Sequence, residues 1–159
     1  MNKSLFYIGI TVSFLLQLTC VELIALRGYR PDFILIFILL YFIGSGKIKP
    51  MLAGFFIGLI QDLIGGGFIG LNAVSKTTAG FILGLLFPEK PPDTKGVFYS
   101  SLILCIFTHD LLYHYIFSRG GYEGFLMFLW KQVLPFSLYN FFICVLISLL
   151  PSFKLDYKS

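Results

Sequence analysis

Apolar residues in this chain do not alternate with polar ones on a single helical stripe. They fill whole stretches, at residues 5–25, 31–44, 51–64, 72–87, 96–117 and 133–150. A helix that is apolar all round belongs in lipid or in the middle of a bundle, and a span of hydrocarbon takes about 20 such residues. The pattern therefore predicts six transmembrane helices. "PEKPPDTK" at 88–95, with three prolines and mixed charge, reads as a loop, and "SRGGYEG" breaks the chain again before residue 125. Residues 125–130 are expected to lie at the membrane interface, with Trp130 and Lys131 as anchors. Pro135 is tolerable in the first turn of the sixth span. Spans two and three hold 14 residues each. That is about 21 Å of helix against a core of about 30 Å, so a five-span arrangement with one of them re-entrant stays open.

Composition supports the membrane reading. Of 159 residues, 57% are hydrophobic and only 13% charged, whereas a soluble domain carries about 25% charge. The expectation is an all-α polytopic integral membrane protein forming a single domain over 1–159. The net charge of +4 is scattered over the ends of apolar runs, which is a topology signal and excludes a nucleic-acid patch. With the N-terminus inside, the cytoplasmic segments hold seven basic residues: Lys3, Lys47, Lys49, Lys90, Lys95, Lys154 and Lys158. The outer ones hold four: Arg27, Arg30, Arg119 and Lys131. Both termini are thus expected in the cytoplasm. Cys20, Cys105 and Cys144 sit inside apolar runs and suggest no disulfide framework. Thr19, before Cys20, is not the small residue a lipoprotein cleavage site wants, so the first span is expected to be retained.

The charges inside the spans draw attention next. Gly54, Gly58 and Asp62 form a row at four-residue spacing on span three, with Gln61 and Gly65 beside it, and Lys76, Gly80 and Gly84 form another on span four. Asp62 lies eleven residues after Met51, and Lys76 eleven before Phe87, so both should stand about 16 Å above the cytoplasmic side. Two glycine grooves facing each other would let the backbones approach and bring Asp62 and Lys76 within a charge-paired or water-bridged distance, with Gly65, Gly66 and Gly67 making the turn. Glu22, Arg30, Asp32, His109, Asp110 and His114 fall in the same outer half. His109, Asp110 and His114 do not share a helical face, so no metal site is expected. No nucleophile–base pattern or nucleotide fingerprint occurs, so neither an enzyme nor a cofactor is expected.

"GYRPDFILIFILLYFI" followed by "GFFIGLIQDLIGGGFIGLNAVSKTTAGFILG" resembles the rod shape-determining protein MreD family. The family's Arg-Pro-Asp corresponds to Arg30, Pro31 and Asp32. Its Gly-Leu-x-x-Asp corresponds to Gly58, Leu59 and Asp62, and its Gly-Leu-Asn-Ala to Gly70, Leu71, Asn72 and Ala73. Lys76 lies within the stretch but outside these motifs. The resemblance implies a non-enzymatic component of the bacterial inner membrane and of the cell-elongation machinery. It would dock the transmembrane helix of MreC, work with MreB, RodA and penicillin-binding protein 2, and help guide lateral peptidoglycan synthesis. It also implies an arrangement like the substrate-binding subunits of energy-coupling-factor transporters. The expected docking or structural cluster is Glu22, Arg30, Asp32, Gln61, Asp62, Asn72, Lys76 and Asp110. The packing and turn glycines are Gly54, Gly58, Gly65, Gly66, Gly67, Gly70, Gly80 and Gly84. The alternative is a small-solute binding subunit of a transporter, although span one lacks the Ala-x-x-x-Ala pair by which such subunits dock.

Overall fold

The computed structural model describes residues 3–26, 28–66, 68–118 and 124–150. Arg27, Gly67, Arg119 and the tail that carries Lys154 and Lys158 lie outside the described residues. Within them are six helices and no strand: α1 (Lys3–Thr19), α2 (Phe33–Phe42), α3 (Ile48–Gly65), α4 (Leu71–Leu86), α5 (Lys95–Phe117) and α6 (Phe125–Ser148). The chain is a multi-pass membrane protein. Three helices, α3, α5 and α6, are long and apolar enough to cross a membrane.

At the centre is α2, whose ten residues are all buried except Tyr41. It has no polar face because every side meets protein: α1 on one side, α3 and α4 on another, α5 and α6 closing the ring. At about 15 Å it is too short to span alone, and protein shields its ends. Asp32 stops it at one end by capping, its Oδ1 accepting from the Leu35 N–H at 2.9 Å. The helix thus begins after Asp32, and the residue sits at the cap rather than inside the first turn. Span one is likewise shorter than expected. Helix α1 ends at Thr19, and the chain turns through residues 20–24 to a tight link in which Leu26 and Tyr29 exchange backbone hydrogen bonds.

Span three is longer than expected. Its helix begins at Ile48, which places Pro50 in the first turn, where a missing N–H breaks no bond. The expected interfacial segment at 125–130 and the sixth span are one continuous helix, with a π-turn at Leu129–Val133. Pro135 explains the π-turn. It has no N–H for the carbonyl of Lys131, and its ring crowds that carbonyl. The hydrogen-bond register slips there, the Leu134 N–H reaching back to Leu129 O, and the Lys131 carbonyl accepts from the Tyr29 hydroxyl at 3.4 Å. Trp130 stands on this stretch, largely exposed.

Helices α3 and α4 form a close antiparallel hairpin. A Cβ on Gly58 would lie 2.7 Å from the Asn72 carbonyl oxygen, and one on Gly54 would meet the Lys76 carbonyl. Across the hairpin, Gly80 faces the Pro50 carbonyl and Gly84 the backbone of Lys47. Each glycine thus lies against the partner's main chain, the close approach that small residues permit between membrane helices. Gly66 ends α3 in the left-handed conformation (φ 64°), and Gly70 (φ 98°) precedes α4.

Candidate functional site

The polar residues of the spans converge on the N-terminal end of α2. Its first N–H groups have no intrahelical partner, and in a bundle within lipid they must find one in protein. Asn140, from α6, accepts from the Asp32 N–H through Oδ1 at 2.7 Å. Gln17, from α1, accepts from the Phe33 N–H through Oε1 at 2.9 Å. Asp32 itself takes the Leu35 N–H. Three helices therefore meet in one capping arrangement.

Two more join through the Asp32 carboxylate. Its Oδ2 pairs with the ammonium of Lys76, a side chain with no exposed surface that reaches in from α4. Lys76 also donates to Asn72 Oδ1, one turn earlier on α4, at 2.7 Å. Asn72 in turn donates through Nδ2 to Asp62 Oδ1, on α3, at 2.8 Å. On the far side, Asn140 Nδ2 donates to both oxygens of Asp110, on α5, at 3.3 Å, and His109 Nδ1 lies 2.9 Å from Asp110 Oδ1. One continuous network thus runs Asp62–Asn72–Lys76–Asp32–Asn140–Asp110–His109, and through Gln17 it touches all six helices.

Lys76 and Asp62 meet through one amide, Asn72, which accepts from the one and donates to the other, while the ion pair of Lys76 is with Asp32. Asp62 instead caps α4, its two oxygens accepting from the N–H groups of Gly70 (2.9 Å), Asn72 (3.0 Å) and Ala73 (3.2 Å). Unpaired donors and the positive end of the helix dipole converge there on one carboxylate. Equal depth in the membrane does not set the direction in which a side chain leaves its helix.

Beside the network lies a cavity of about 550 Å³, open at one end. Asp32, Gln61, Asn72, His109, Asp110 and Asn140 contribute to its polar wall, and Phe14, Leu18, Ile64, Phe117 and Phe136 to its apolar one. Arg30 and Glu22, which also line it, form an ion pair at 3.0 Å with both side chains more than half exposed. Exposed pairs of this kind contribute about 1 kcal/mol or less. The structure thus divides the expected cluster: Asp32, Asp62, Asn72, Lys76 and Asp110 form the buried network, while Glu22 and Arg30 form a separate pair at the rim. Gln61 lines the cavity without joining the network. Among the described residues no group of His, Cys, Asp or Glu has the arrangement of a metal site.

Gln17 and Asn140 were missed by sequence reasoning. Their signal was a single amide in an otherwise apolar run, "FLLQLT" and "LYNFFICVL", which in a membrane helix points to an interhelical hydrogen bond.

The model of the family described as rod shape-determining protein MreD matches residues 2–89, from α1 through α4. The network residues Asp32, Asp62, Asn72 and Lys76 fall inside that match, and Asp110 and Asn140 outside it. No curated protein and no solved structure matches the chain.

Proposed function

The chain belongs to the MreD family of rod shape-determining proteins, and from that premise we propose that it is a non-enzymatic scaffold of the elongation machinery in the bacterial inner membrane, both termini cytoplasmic. It docks the transmembrane helix of MreC and, with MreB, RodA and penicillin-binding protein 2, helps guide lateral peptidoglycan synthesis. One observation carries the scaffold reading. The charges of Asp32, Asp62, Lys76 and Asp110 are used in tying six helices together, and among the described residues one ion pair, Arg30–Glu22, stands exposed at the mouth. A rigid frame with a charged rim suits recognition of a partner better than it suits chemistry. Arg30 sits where the basic count is lowest, and a cation at a helix N-terminus is mildly unfavourable, so its place on the rim calls for a contact beyond Glu22.

The test is Arg30→Ala expressed at wild-type membrane levels in rod-shaped cells. Because the pair is exposed, the variant keeps its fold. It is expected to lose MreC recovery and to widen the cells. Normal rods with full MreC recovery would remove Arg30 from the docking surface.

A further inference from the structure

Along the axis of the bundle, α2 fills only part of the membrane. Its ten residues make about 15 Å of helix, half of a hydrocarbon core of about 30 Å. The rest of the axis lies beyond Asp32, and two contacts show how deep that residue stands. Asn140, which accepts from the Asp32 N–H, lies fifteen residues beyond Phe125, where α6 begins, or about 22 Å along the helix. Asp110, bonded to the same Asn140 side chain, lies seven residues before Phe117, where α5 ends, or about 11 Å from that end. The cavity occupies this space. Pro31, Asp32 and Ile34, at the start of α2, form its floor. Gly28 and Gly65 also line it, and a Cβ on either would meet nothing within 4 Å.

Hydrocarbon is a poor filling for such a space. Its wall includes the carboxylates of Asp32 and Asp110. Two shielded atoms of lining residues, Gln61 Oε1 and His109 Nε2, have no hydrogen-bond partner in the protein, and polar atoms left against lipid chains are costly. The contents must suit both atoms. Gln61 Oε1 only accepts, whereas His109 Nε2 accepts or donates according to the protons on the ring. A water molecule offers two donors and two acceptors, so it serves each atom whatever the charge of the ring. We infer that the cavity is a water-filled crevice that carries solvent through about half the thickness of the membrane to the Asp32 carboxylate. Its volume of about 550 Å³ holds on the order of ten water molecules. Below the floor the apolar side chains of α2 are packed on all sides, so the crevice is blind: it admits water and small hydrophilic solutes from one side of the membrane and α2 plugs the other. The inference goes beyond the scaffold reading and requires no partner.

The test compares neighbouring positions at matched depth, in the full chain in phosphatidylcholine nanodiscs. Cys20 is replaced by serine, while Cys105 and Cys144 are buried and stay. Phe14 on α1 and Gln61 on α3 line the cavity, and their neighbours Leu15 and Ile60 face outward. Phe14→Cys, Leu15→Cys, Gln61→Cys and Ile60→Cys are each treated with a charged, membrane-impermeant methanethiosulfonate. The reagent attacks thiolate, which water sustains and hydrocarbon does not, so the lining cysteine of each pair is expected to react at least about tenfold faster than its neighbour. The unmodified chain supplies a second measurement. Hydroxyl radicals generated from water by an X-ray pulse are expected to oxidise Phe14 and Tyr113, on the cavity wall, more than the outward-facing Phe55 and Phe56. Equal reaction rates within either cysteine pair, or oxidation of Phe55 and Phe56 as strong as that of Phe14 and Tyr113, would overturn the inference. If the cysteine variants do not fold, the radical footprint decides alone.

Discussion

Removing the ammonium of Lys76 is the sharpest test of the network. Lys76→Met keeps the length and apolar stem of the side chain but leaves the Asp32 carboxylate and Asn72 Oδ1 without their donor. In membrane helices an ordinary interhelical hydrogen bond contributes only about 0.6 kcal/mol. Breaking a buried ion pair from one side costs about 3–5 kcal/mol, because the remaining charge is stranded. The second figure governs here, since Lys76 has no exposed surface and the Asp32 side chain only 13%. The cavity beside Asp32 admits some water to the stranded carboxylate, so the low end, about 3 kcal/mol, is expected. Asp32→Asn, which still caps Leu35, strands the ammonium instead and should cost a similar amount. The double variant Lys76→Met/Asp32→Asn strands neither charge. It should recover at least about 1.5 kcal/mol over the sum of the singles, a coupling in the usual range for contacting residues. The assay is equilibrium unfolding of the purified protein in mixed micelles, with far-ultraviolet circular dichroism as the readout. A Lys76→Met variant within about 0.5 kcal/mol of wild type, or a double variant showing strict additivity, would refute the stranded-charge reasoning.

Three further outcomes follow from the hairpin and the loops. Gly58→Ala should destabilise by about 1–3 kcal/mol in the same unfolding assay despite alanine's better helix propensity, because its Cβ would lie 2.7 Å from the Asn72 carbonyl oxygen; a gain in stability would contradict the close approach. Gly66→Ala, at φ 64°, should cost about 1–2 kcal/mol, while Gly65→Ala, helical and with nothing near its Cβ, should be neutral or stabilising; equal effects would contradict the left-handed cap. Asp93→Cys, on the exposed loop between α4 and α5, should react with a membrane-impermeant maleimide only after lysis, and labelling of intact cells would reverse the proposed orientation.

Much of this protein follows from one-dimensional pattern. Continuous apolar runs require helices in a membrane, since no other element satisfies its own backbone there, and their order locates all six. Four-residue glycine spacing on two consecutive runs requires an antiparallel hairpin with backbones in contact, because the only use for a bare stripe in lipid is another helix. Helix bounds were less legible: α1 stops at Thr19, α3 begins three residues early, and α6 runs through Pro135 on a π-turn, each by local hydrogen bonding that hydropathy does not register. The partners of the buried charges were decided by tertiary structure alone. The sequence puts Asp62 and Lys76 at one expected depth, yet Asp62 accepts from the N–H groups opening α4, and Lys76 is long enough to reach Asp32. Gln17 and Asn140 are 123 residues apart in the chain, and only folding reveals that both serve the first turn of α2. A side chain's direction around its helix, and the donors that direction meets, are set by how six helices rotate against one another, and here that rotation brings Asn140 and Gln17 to the N–H groups of Asp32 and Phe33.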